Sequence, residues 1–424
     1  MKSKTKKSRT MEEKKSELVP RLRFPEFRKM PGWKETQLQK IARSVSDRAV
    51  TGDGDNVLSL SGEHGLVLQS EYFGKKIAGD ITDRYLKLLR DDFVYNDRTT
   101  KASTFGTIKR LSKYSGGIVS PIYKCFRFHT GEDPVFWEWY FESGSHEAQL
   151  GSLVNEGARA GRFNISIRQF LSTTAWRPDE REQQKVAEFL SSVDDFIAAQ
   201  ARKVTALKIY KKGLTQRLFP QESESQPRLR FPEFQNVEEW KVKRLSGMIE
   251  LISGMHLSPN DYSTVGEVPY FTGPSDFTNN LSNVTKWTKR TANVSKAEDI
   301  LITVKGSGVG EIWYSTLPEI AMGRQLMAIR SKSGASRFMF QFLQTKKNHF
   351  KDLGSGNMIP GLSRAVILEL EASFPNLPEQ QRIADCLTSL DDLIAAQTQK
   401  HEALETYKMG LMQQLFPVVA EVEV

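Results

Sequence analysis

The sequence contains one amphipathic segment twice, as REQQKVAEFLSSVDDFIAAQ at Arg181–Gln200 and as PEQQRIADCLTSLDDLIAAQ at Pro378–Gln397. Over the longer stretches Glu182–Pro220 and Glu379–Pro417, 23 of 39 positions are identical. Identity at this level across so long a segment predicts that the chain is built from two related units.

A second repeat supports the same plan. PRLRFPEF occurs at Pro20–Phe27 and again at Pro227–Phe234, and Trp33 and Trp240 follow this RFPEF motif at the same offset. The regions between the RFPEF motif and the long segment show little resemblance to one another, so the frame is duplicated and its contents are not. The predicted divisions are a basic, disordered tail at 1–19, a first variable domain at 20–176, a first long helix at 177–220, a linker at 221–226, a second variable domain at 227–375, a second long helix at 376–417 and a tail at 418–424.

The long segments have the heptad spacing of a coiled-coil seam, with steps that alternate between four and three residues. The predicted seam positions are Val186, Leu190, Val193, Ile197, Gln200, Leu207 and Leu214 in the first copy, and Ile383, Leu387, Leu390, Ile394, Gln397, Leu404 and Leu411 in the second. A helix with such a stripe needs a partner, and the other copy has the matching length. An antiparallel pair would place two globular regions at opposite ends of a rod, related by a pseudo-two-fold axis.

Local signals predict where these helices begin and end. Asp179 and Asn376 can cap the starts, and the glutamates three residues later complete a capping box. Pro220 and Pro417 stop both helices. About 39 residues at 1.5 Å each span about 58 Å. Gln200 and Gln397 occupy the same seam position, where they either fix the register of the pair or face solvent at a loosened seam.

Composition narrows the class of protein. Hydrophobic residues make up 39% and charged residues 26% of 424 residues, and the formal net charge is +9. Residues 1–29 supply +7 of that charge, so the total is weak support for nucleic-acid binding. Two cysteines exclude a disulfide framework and suit a cytoplasmic protein, and the sequence predicts neither a metal site nor a membrane span.

The chain resembles the specificity subunit of type I restriction-modification systems in the order of its parts. An RFPEF motif is followed by a variable region and by a helix of the form EQQ(K/R)(V/I)A…L…(V/L)DD(F/L)IAAQ, and the same order then occurs a second time. The resemblance covers residues 20–417. It implies two target recognition domains that each read one half of a split, asymmetric sequence in double-stranded DNA. It also implies that the helices set the gap and dock DNA adenine methyltransferase (modification) subunits, with restriction/translocase subunits in the complete complex.

The resemblance further implies a subunit without catalysis or cofactors of its own, because S-adenosylmethionine, ATP and Mg²⁺ would belong to the partner subunits. The residues agree with this expectation. No Walker-type G-x-x-x-x-G-K-[ST] motif occurs, and GSGVGE at Gly306–Glu311 is interpreted as a turn between strands. The acidic PDEREQQK at Pro178–Lys185 is interpreted as the first turn of a helix.

The variable domains are expected to be α/β or α+β. The α+β class is preferred, which makes the chain two α+β domains separated by a long antiparallel two-helix coiled coil. Strands are predicted within Gly116–Phe128 and Asp299–Ser315. Helices are predicted at PVFWEWYFES (Pro134–Ser143) and SRFMFQFLQTKKNHF (Ser336–Phe350), with their aromatic residues in the core.

Base readout requires polar side chains in fixed positions, and phosphate contacts require cations, hydroxyls or free backbone amides. Polar loops that carry such groups are therefore the candidate DNA-binding segments. The candidates are Arg98, Lys101, Lys109, Arg110, Lys113, Arg159, Arg162 and Asn164 in the first domain, and Lys305, Ser307, Arg324, Gln325, Asn357 and Arg364 in the second. The main alternative is a two-headed protein-binding scaffold in which the coiled coil is a strut.

Overall fold

A computed structural model describes residues 17–50, 56–74, 82–99, 103–153, 164–221, 224–289, 293–332, 335–355 and 361–416. The chain forms two compact units. Unit 1 comprises Met1–Ala199 and His401–Val424, and unit 2 comprises Gln200–Lys400. Of the predicted disordered tail at 1–19, residues 1–16 lie outside the described residues. The prediction is wrong for Glu17–Leu18, because these residues form a short strand that pairs with Trp33 and Lys34.

Unit 1 is α+β. Its strands are β1 (Glu17–Leu18), β2 (Trp33–Gln37), β3 (Ala42–Ser44), β4 (Leu58–Ser61), β5 (Gly65–Leu68), β6 (Leu86–Leu89), β7 (Phe93–Asn96), β8 (Thr107–Arg110), β9 (Gly116–Val119), β10 (Lys124–Phe128) and β11 (Thr174–Arg177). Its short helices are α1 (Gln69–Phe73), α2 (Pro134–Glu142), α3 (Glu147–Gly151) and α4 (Ile167–Ser172). The long helix α5 (Glu180–Leu218) begins in unit 1 and continues in unit 2 from Gln200.

Unit 2 is α+β as well. Its strands are β12 (Lys241–Arg244), β13 (Ile249–Ser253), β14 (Tyr262–Ser263), β15 (Val268–Phe271), β16 (Trp287–Thr288), β17 (Val294–Lys296), β18 (Ile300–Thr303), β19 (Ile312–Tyr314), β20 (Glu319–Met322), β21 (Leu326–Ser331) and β22 (Glu371–Phe374). Its helices are α6 (Ser336–Thr345), α7 (Lys347–Ser355) and α8 (Arg364–Leu368). The second long helix, α9 (Leu377–Leu415), begins here and enters unit 1 at His401.

Both long helices have 39 residues, and their paired segments run antiparallel within each unit. In unit 2, Gln200 Nε2 donates to the backbone oxygen of Gln397 at 2.9 Å and to its Oε1 at 3.0 Å. Farther along α5, Lys211 Nζ contacts Asp391 Oδ1 at 2.5 Å. In unit 1, Lys408 pairs with Asp194, the positions equivalent to Lys211 and Asp391. The predicted α+β class and antiparallel pairing are confirmed.

The RFPEF motif fastens the start of each long helix through the arginine that precedes its first phenylalanine. In unit 1, Arg23 makes a two-point ion pair with Glu182, with both N–O distances at 2.7 Å. In unit 2, Arg230 makes the same pair with Glu379 at 2.9 and 2.6 Å. Each guanidinium also donates to two backbone carbonyls seven and eight residues farther along the chain.

This arrangement corrects the predicted capping box. Asp179 Oδ1 and Asn376 Oδ1 do cap the helices, because each accepts from the backbone N–H three residues later at 3.0 Å. The carboxylates of Glu182 and Glu379, however, are turned toward the arginines of the RFPEF motifs. A buried guanidinium binds both carboxylate oxygens, which a single backbone N–H cannot do.

Each variable domain contains a four-stranded sheet, and the two sheets have the same topology although the sequences do not reveal it. Unit 1 has an antiparallel sheet in the order β3-β10-β7-β8, and unit 2 has one in the order β13-β21-β18-β19. In both sheets, the four strands numbered along the chain stand in the order first, fourth, second and third across the sheet. Around this common sheet the units differ, with the pairs β4-β5 and β6-β9 in unit 1 and the sheet β14-β16-β15-β20-β17 in unit 2.

A partly buried ion pair marks the equivalence of the two sheets. Asp92, just before β7, binds Arg127 of β10 at 2.5 and 2.7 Å. Asp299, just before β18, binds Arg330 of β21 at 2.9 and 2.7 Å. The residue before each aspartate, Asp91 or Glu298, has a left-handed backbone with φ of 70°. The variable domains therefore retain the duplication in a few anchoring residues.

Aromatic side chains fill the cores, as predicted. In unit 1, Phe136, Trp137 and Tyr140 of α2 are buried against the sheet together with Trp33. In unit 2, Phe338 and Phe342 of α6 pack in the core with Phe350 of α7 and Trp240. The helix predicted as one segment at 336–350 is instead two, since α6 ends at Thr345 and α7 begins at Lys347.

Candidate nucleic-acid interface

One turn of the shared sheet carries candidate residues in both units. It joins β7 to β8 in unit 1 and β18 to β19 in unit 2, and it ends in glycines with left-handed φ, Gly106 (83°) and Gly310 (85°). Arg98 lies near the start of the first turn and Lys305 near the start of the second, and both are exposed. The described residues of the predicted segments NDRTTKAST and TVKGSG thus occupy equivalent places in the fold. GSGVGE lies between strands, as predicted.

In unit 2 a second turn lies beside this one. Residues 323–326 form a tight turn between β20 and β21, in which Leu326 N–H donates to Gly323 O at 2.9 Å. Arg324 and Gln325 are its two central residues. Val304 N–H donates to Gln325 O at 2.7 Å, which ties the two turns together. The structure therefore brings Lys305, Arg324 and Gln325 into one neighbourhood, with Ser307 on the same turn as Lys305.

These four side chains are exposed and have free polar groups. Among the described residues, the side chains of Lys305, Ser307, Arg324 and Gln325 have neither an ion pair nor a hydrogen bond. Two cations, one hydroxyl and one amide at adjoining turns can bind phosphate oxygens and base edges without first breaking internal contacts.

Three candidates in unit 1 are instead engaged within the protein. Lys109 pairs with Glu142, and Arg110 contacts Asp91 at 2.5 Å and Glu138 at 2.6 Å. Lys113 lies 3.4 Å from Glu71, although both groups remain largely exposed. Burial raises the pKa of Glu138 despite the neighbouring guanidinium of Arg110. The positive charges of Lys109, Arg110 and Lys113 are therefore partly neutralised by the carboxylates, which weakens the attraction of these three side chains for phosphate.

Two of the remaining candidates, Asn164 and Arg364, lie within the described residues. Asn164 is exposed, with a left-handed φ of 55°. Arg364 donates to Ser253 Oγ at 3.0 Å and to Leu251 O at 3.1 Å, so its guanidinium braces β13. The predicted residues Lys101, Arg159, Arg162 and Asn357 lie outside the described residues.

The predicted seam positions lie on the inner faces of the paired helices. Val186, Leu190, Ile197, Gln200, Ile383, Leu387 and Leu411 are buried, and Val193, Leu207, Leu214, Leu390, Ile394, Gln397 and Leu404 are half-buried. The exposed apolar residues of the helices lie at other positions. Tyr210 and Tyr407 are equivalent in the two repeats and are 61% and 60% exposed.

Unit 1 has a cavity of about 530 Å³ beside its turn. Arg98, Asn96 and His146 are among the residues that line it. Burial lowers the pKa of His146 to about 4, and its Nδ1 has no hydrogen-bond partner among the described residues. The imidazole is therefore neutral at pH 7, and it adds no positive charge to this end of unit 1.

The sequence did not predict the residues that fix the long helices and the sheets from which the candidate turns project. Arg23, Arg230, Asp92 and Asp299 position the helices and sheets, although none is a predicted site residue. A detectable signal exists, because the two arginines and the two aspartates are each separated by 207 residues, the offset of the RFPEF motif. Local sequence similarity around Asp92 and Asp299 is too low to show it unless that offset is tested.

Comparison with known proteins agrees with this architecture. Residues 237–406 match the family model described as type I restriction modification DNA specificity domain. The matched segment covers most of the second variable domain and most of α9, and it is similar to the DNA specificity domains of type I restriction-modification systems. It is 28% identical over 241 residues to a putative type I restriction enzyme MjaX specificity subunit from Methanocaldococcus jannaschii, a match that covers 55% of this chain and 56% of that protein.

A second relative from the same organism, the type I restriction enzyme MjaVIII specificity subunit, is 27% identical over 42% of each chain. The matches thus span about half the length of these curated relatives. Among solved structures, the S subunit of a type I restriction-modification system from M. genitalium has a TM-score of 0.58 at 13% identity. That match covers 95% of this chain and 100% of the other.

A chain from a structure of type I R-M system assembly and conformational transition has a TM-score of 0.59 at 18% identity, over 91% of this chain and 98% of that one. At these identities the structural similarity concerns the fold. Within the described part of the chain, no group of three or more His, Cys, Asp or Glu side chains is arranged to hold a metal ion. None of the described helices is both long and apolar enough to cross a membrane.

Proposed function

We propose that this chain is the DNA-recognition subunit of a type I restriction-modification complex. Each unit reads one half of a split, asymmetric sequence in double-stranded DNA, through the turn that follows β7 or β18. The domains at 20–176 and 227–375 are the two readers, and the segments at 177–220 and 376–417 set the gap between the half-sites.

One observation carries the proposal. In a chain similar to type I specificity subunits, both units present an exposed cation at the equivalent turn of a four-stranded sheet of the same strand order, Arg98 in one and Lys305 in the other. In unit 2, Arg324 and Gln325 lie beside that turn with their polar groups unpaired among the described residues. Such groups are suited to phosphates and base edges.

The long helices are proposed to dock the methyltransferase (modification) subunits. Tyr210 in unit 2 and Tyr407 in unit 1 are equivalent positions of the repeat, and both are largely exposed. Exposed tyrosines on a helix favour a protein partner, because aromatic residues are enriched at interface cores. Restriction/translocase subunits complete the assembly.

Catalysis is assigned to the partners, so that S-adenosylmethionine, ATP and Mg²⁺ would be bound by them. The purified chain alone is then expected neither to methylate nor to cut DNA. We further propose that the protein acts in the cytoplasm, where host DNA and the partner subunits are present.

The deciding experiment maps methylated adenines in the host genome with and without this gene. A split asymmetric motif that appears only with the gene supports the proposal. A methylation pattern that is the same in both strains contradicts it.

A second measurement separates this proposal from a two-headed protein-binding scaffold. A DNA reader loses affinity for duplex steeply as salt rises, because phosphate contacts release counterions. A scaffold that binds proteins has no such dependence on duplex DNA. A binding constant for DNA that does not change between about 50 and 200 mM salt would favour the scaffold.

A further inference from the structure

We propose that Gln325 is the base-reading residue of unit 2 and that it recognises an adenine in one half-site. This inference rests on the proposed function and deepens it. Neither the family match nor the structural similarity assigns a role to this residue.

The backbone around Gln325 is held from several sides. Gln325 is a central residue of the turn at 323–326, closed by the hydrogen bond from Leu326 to Gly323. Its own carbonyl accepts from Val304 N–H at 2.7 Å. Gly323 N–H donates to Phe271 O at 2.7 Å, which ties the turn to β15. The position of the Gln325 Cα is therefore determined by three elements.

Glycines surround the Gln325 amide where larger residues would crowd it. A Cβ on Gly273 would lie 3.2 Å from Gln325 Oε1, and one on Gly306 would lie 3.6 Å from the same atom. Gly306 also has a left-handed φ of 89°. A Cβ on Gly254 would lie 2.1 Å from Gly323 O. The amide group of Gln325 thus lies against the backbone of Gly273 and Gly306, and side chains at these two positions would crowd it.

The amide itself is chemically available. It makes no hydrogen bond among the described residues, and the side chain is exposed. A glutamine amide offers one donor and one acceptor side by side, which matches the N7 acceptor and N6 donor of adenine in the major groove. A side chain held by rigid neighbours reads a base more selectively than one on a loose loop.

Its neighbours have a different role by the same reasoning. Arg324, the other central residue of the turn, and Lys305 on the adjoining turn are exposed cations without partners among the described residues. They suit phosphate contacts, which set position and affinity but carry no base preference. Arg324 is thus a matched control, one residue away on the same turn.

The test uses the full chain in its host with its native partner genes. Methylated adenines are mapped genome-wide for the wild type and for the variants Gln325→Ala, Gln325→Glu and Arg324→Ala. Gln325→Ala is expected to reduce discrimination by roughly 5- to 150-fold at one adenine of one half-site, leaving the other half-site unchanged. Gln325→Glu is expected to shift that position toward cytosine, because a carboxylate accepts from the cytosine N4 donor.

Arg324→Ala is expected to lower methylation at all sites alike, with base preferences intact. If Gln325→Ala leaves every base preference unchanged, or lowers methylation uniformly as Arg324→Ala does, the inference is wrong. A wild-type strain without a split motif would overturn the proposed function and the inference together. A normal wild-type motif that Gln325→Ala does not alter overturns the inference alone.

Discussion

The two units have the same frame but different surfaces at the turn proposed to meet DNA. Both have the order of β3-β10-β7-β8 or its equivalent, the aspartate–arginine pair and the ion pair of the RFPEF motif. In unit 1, however, Lys109 and Arg110 of β8, the strand that follows the turn, are held by carboxylates, while in unit 2 Lys305 and Arg324 have no ion pair among the described residues.

This difference shows which residues can change without altering the fold. The shared pairs lie before β7 and β18 and at the starts of the long helices, where a lost partner would leave a buried charge. The turn residues face solvent, where a substitution alters the proposed DNA contacts and leaves the sheet intact. A duplicated frame can therefore acquire two different specificities.

The largest expected effect concerns the ion pairs of the RFPEF motifs. Glu182→Ala leaves the guanidinium of Arg23 buried without its partner, since the two side chains are only 5% and 2% exposed. We expect the free energy of unfolding of unit 1 to fall by about 3–5 kcal/mol. Glu379→Ala should do the same in unit 2. Hydrogen exchange followed separately in each unit measures both effects.

Lys185→Ala is the control for this experiment, because Lys185 lies 3.9 Å from Glu26 in an exposed pair. Its removal should cost less than about 1 kcal/mol. Equal losses for Glu182→Ala and Lys185→Ala would show that the RFPEF motif does not anchor the helix.

The half-buried residue His146, whose ring Nδ1 is buried, should make unit 1 sensitive to acid. Burial lowers the pKa of His146 to about 4, while an unfolded histidine titrates near pH 6.5. Between these values the unfolded chain binds a proton that the folded chain does not, so the stability of unit 1 decreases as pH falls below about 6.5. The loss at pH 5 should reach about 2 kcal/mol.

His146→Phe should remove this loss, and the measurement is the free energy of unfolding at pH 7 and pH 5 for both proteins. Unit 2 is an internal reference when hydrogen exchange reports the two units separately. The same pH dependence in wild type and variant would exclude His146 as its source.

The contrast between free and paired cations can be measured by DNA binding. The double variant Lys305→Ala, Arg324→Ala should reduce the slope of log affinity against log salt by about 1.8, because each lost phosphate contact removes about 0.9. Between about 50 and 200 mM salt, this change in slope makes the loss of DNA affinity about tenfold smaller for the double variant than for the wild type. Lys109→Ala, Arg110→Ala removes the same charge from unit 1 and should change the slope much less.

If the two double variants changed the slope equally, the ion pairs of unit 1 would not decide which cations reach DNA. The salt titration uses the purified complex and duplex DNA that contains the mapped motif.

The smallest expected effect concerns Gln200 at the helix seam. Gln200→Ala removes the hydrogen bonds to Gln397 and leaves that side chain without its partner, at a cost of about 1 kcal/mol. Gln397→Ala gives the matched loss from the other helix. The free energies of unfolding of the two single variants and the double variant form a cycle. Strict additivity of the two losses would show that the glutamines do not interact in solution.

Much of the architecture was predictable because it depends on local patterns. The repeat with heptad spacing predicted two long helices, and prolines predicted their ends near Pro220 and Pro417. The aromatic segment at 134–143 predicted a buried helix. In contrast, the reciprocal capping box was wrong, since Glu182 is bound by an arginine 159 residues away in the chain.

The candidate interface was only partly predictable. Polar character selected the turns after β7 and β18, but it did not separate Arg110, held by two carboxylates, from Arg324, which has no ion pair among the described residues. Whether a surface cation is neutralised depends on residues brought close by strand pairing and by the packing of α2 on the sheet, and those residues are distant in sequence.

Sequence alone determined the doubling, the length of the helices and the apolar stripe that makes them pair, because periodicity and identity are properties of the chain itself. Tertiary structure decided that two dissimilar regions each form a sheet of the same topology, and that Arg324 and Gln325 lie beside Lys305. The physical reason is that backbone hydrogen bonds and a partly buried ion pair specify a sheet with few side chains, so the remaining positions can differ and leave no similarity in local sequence.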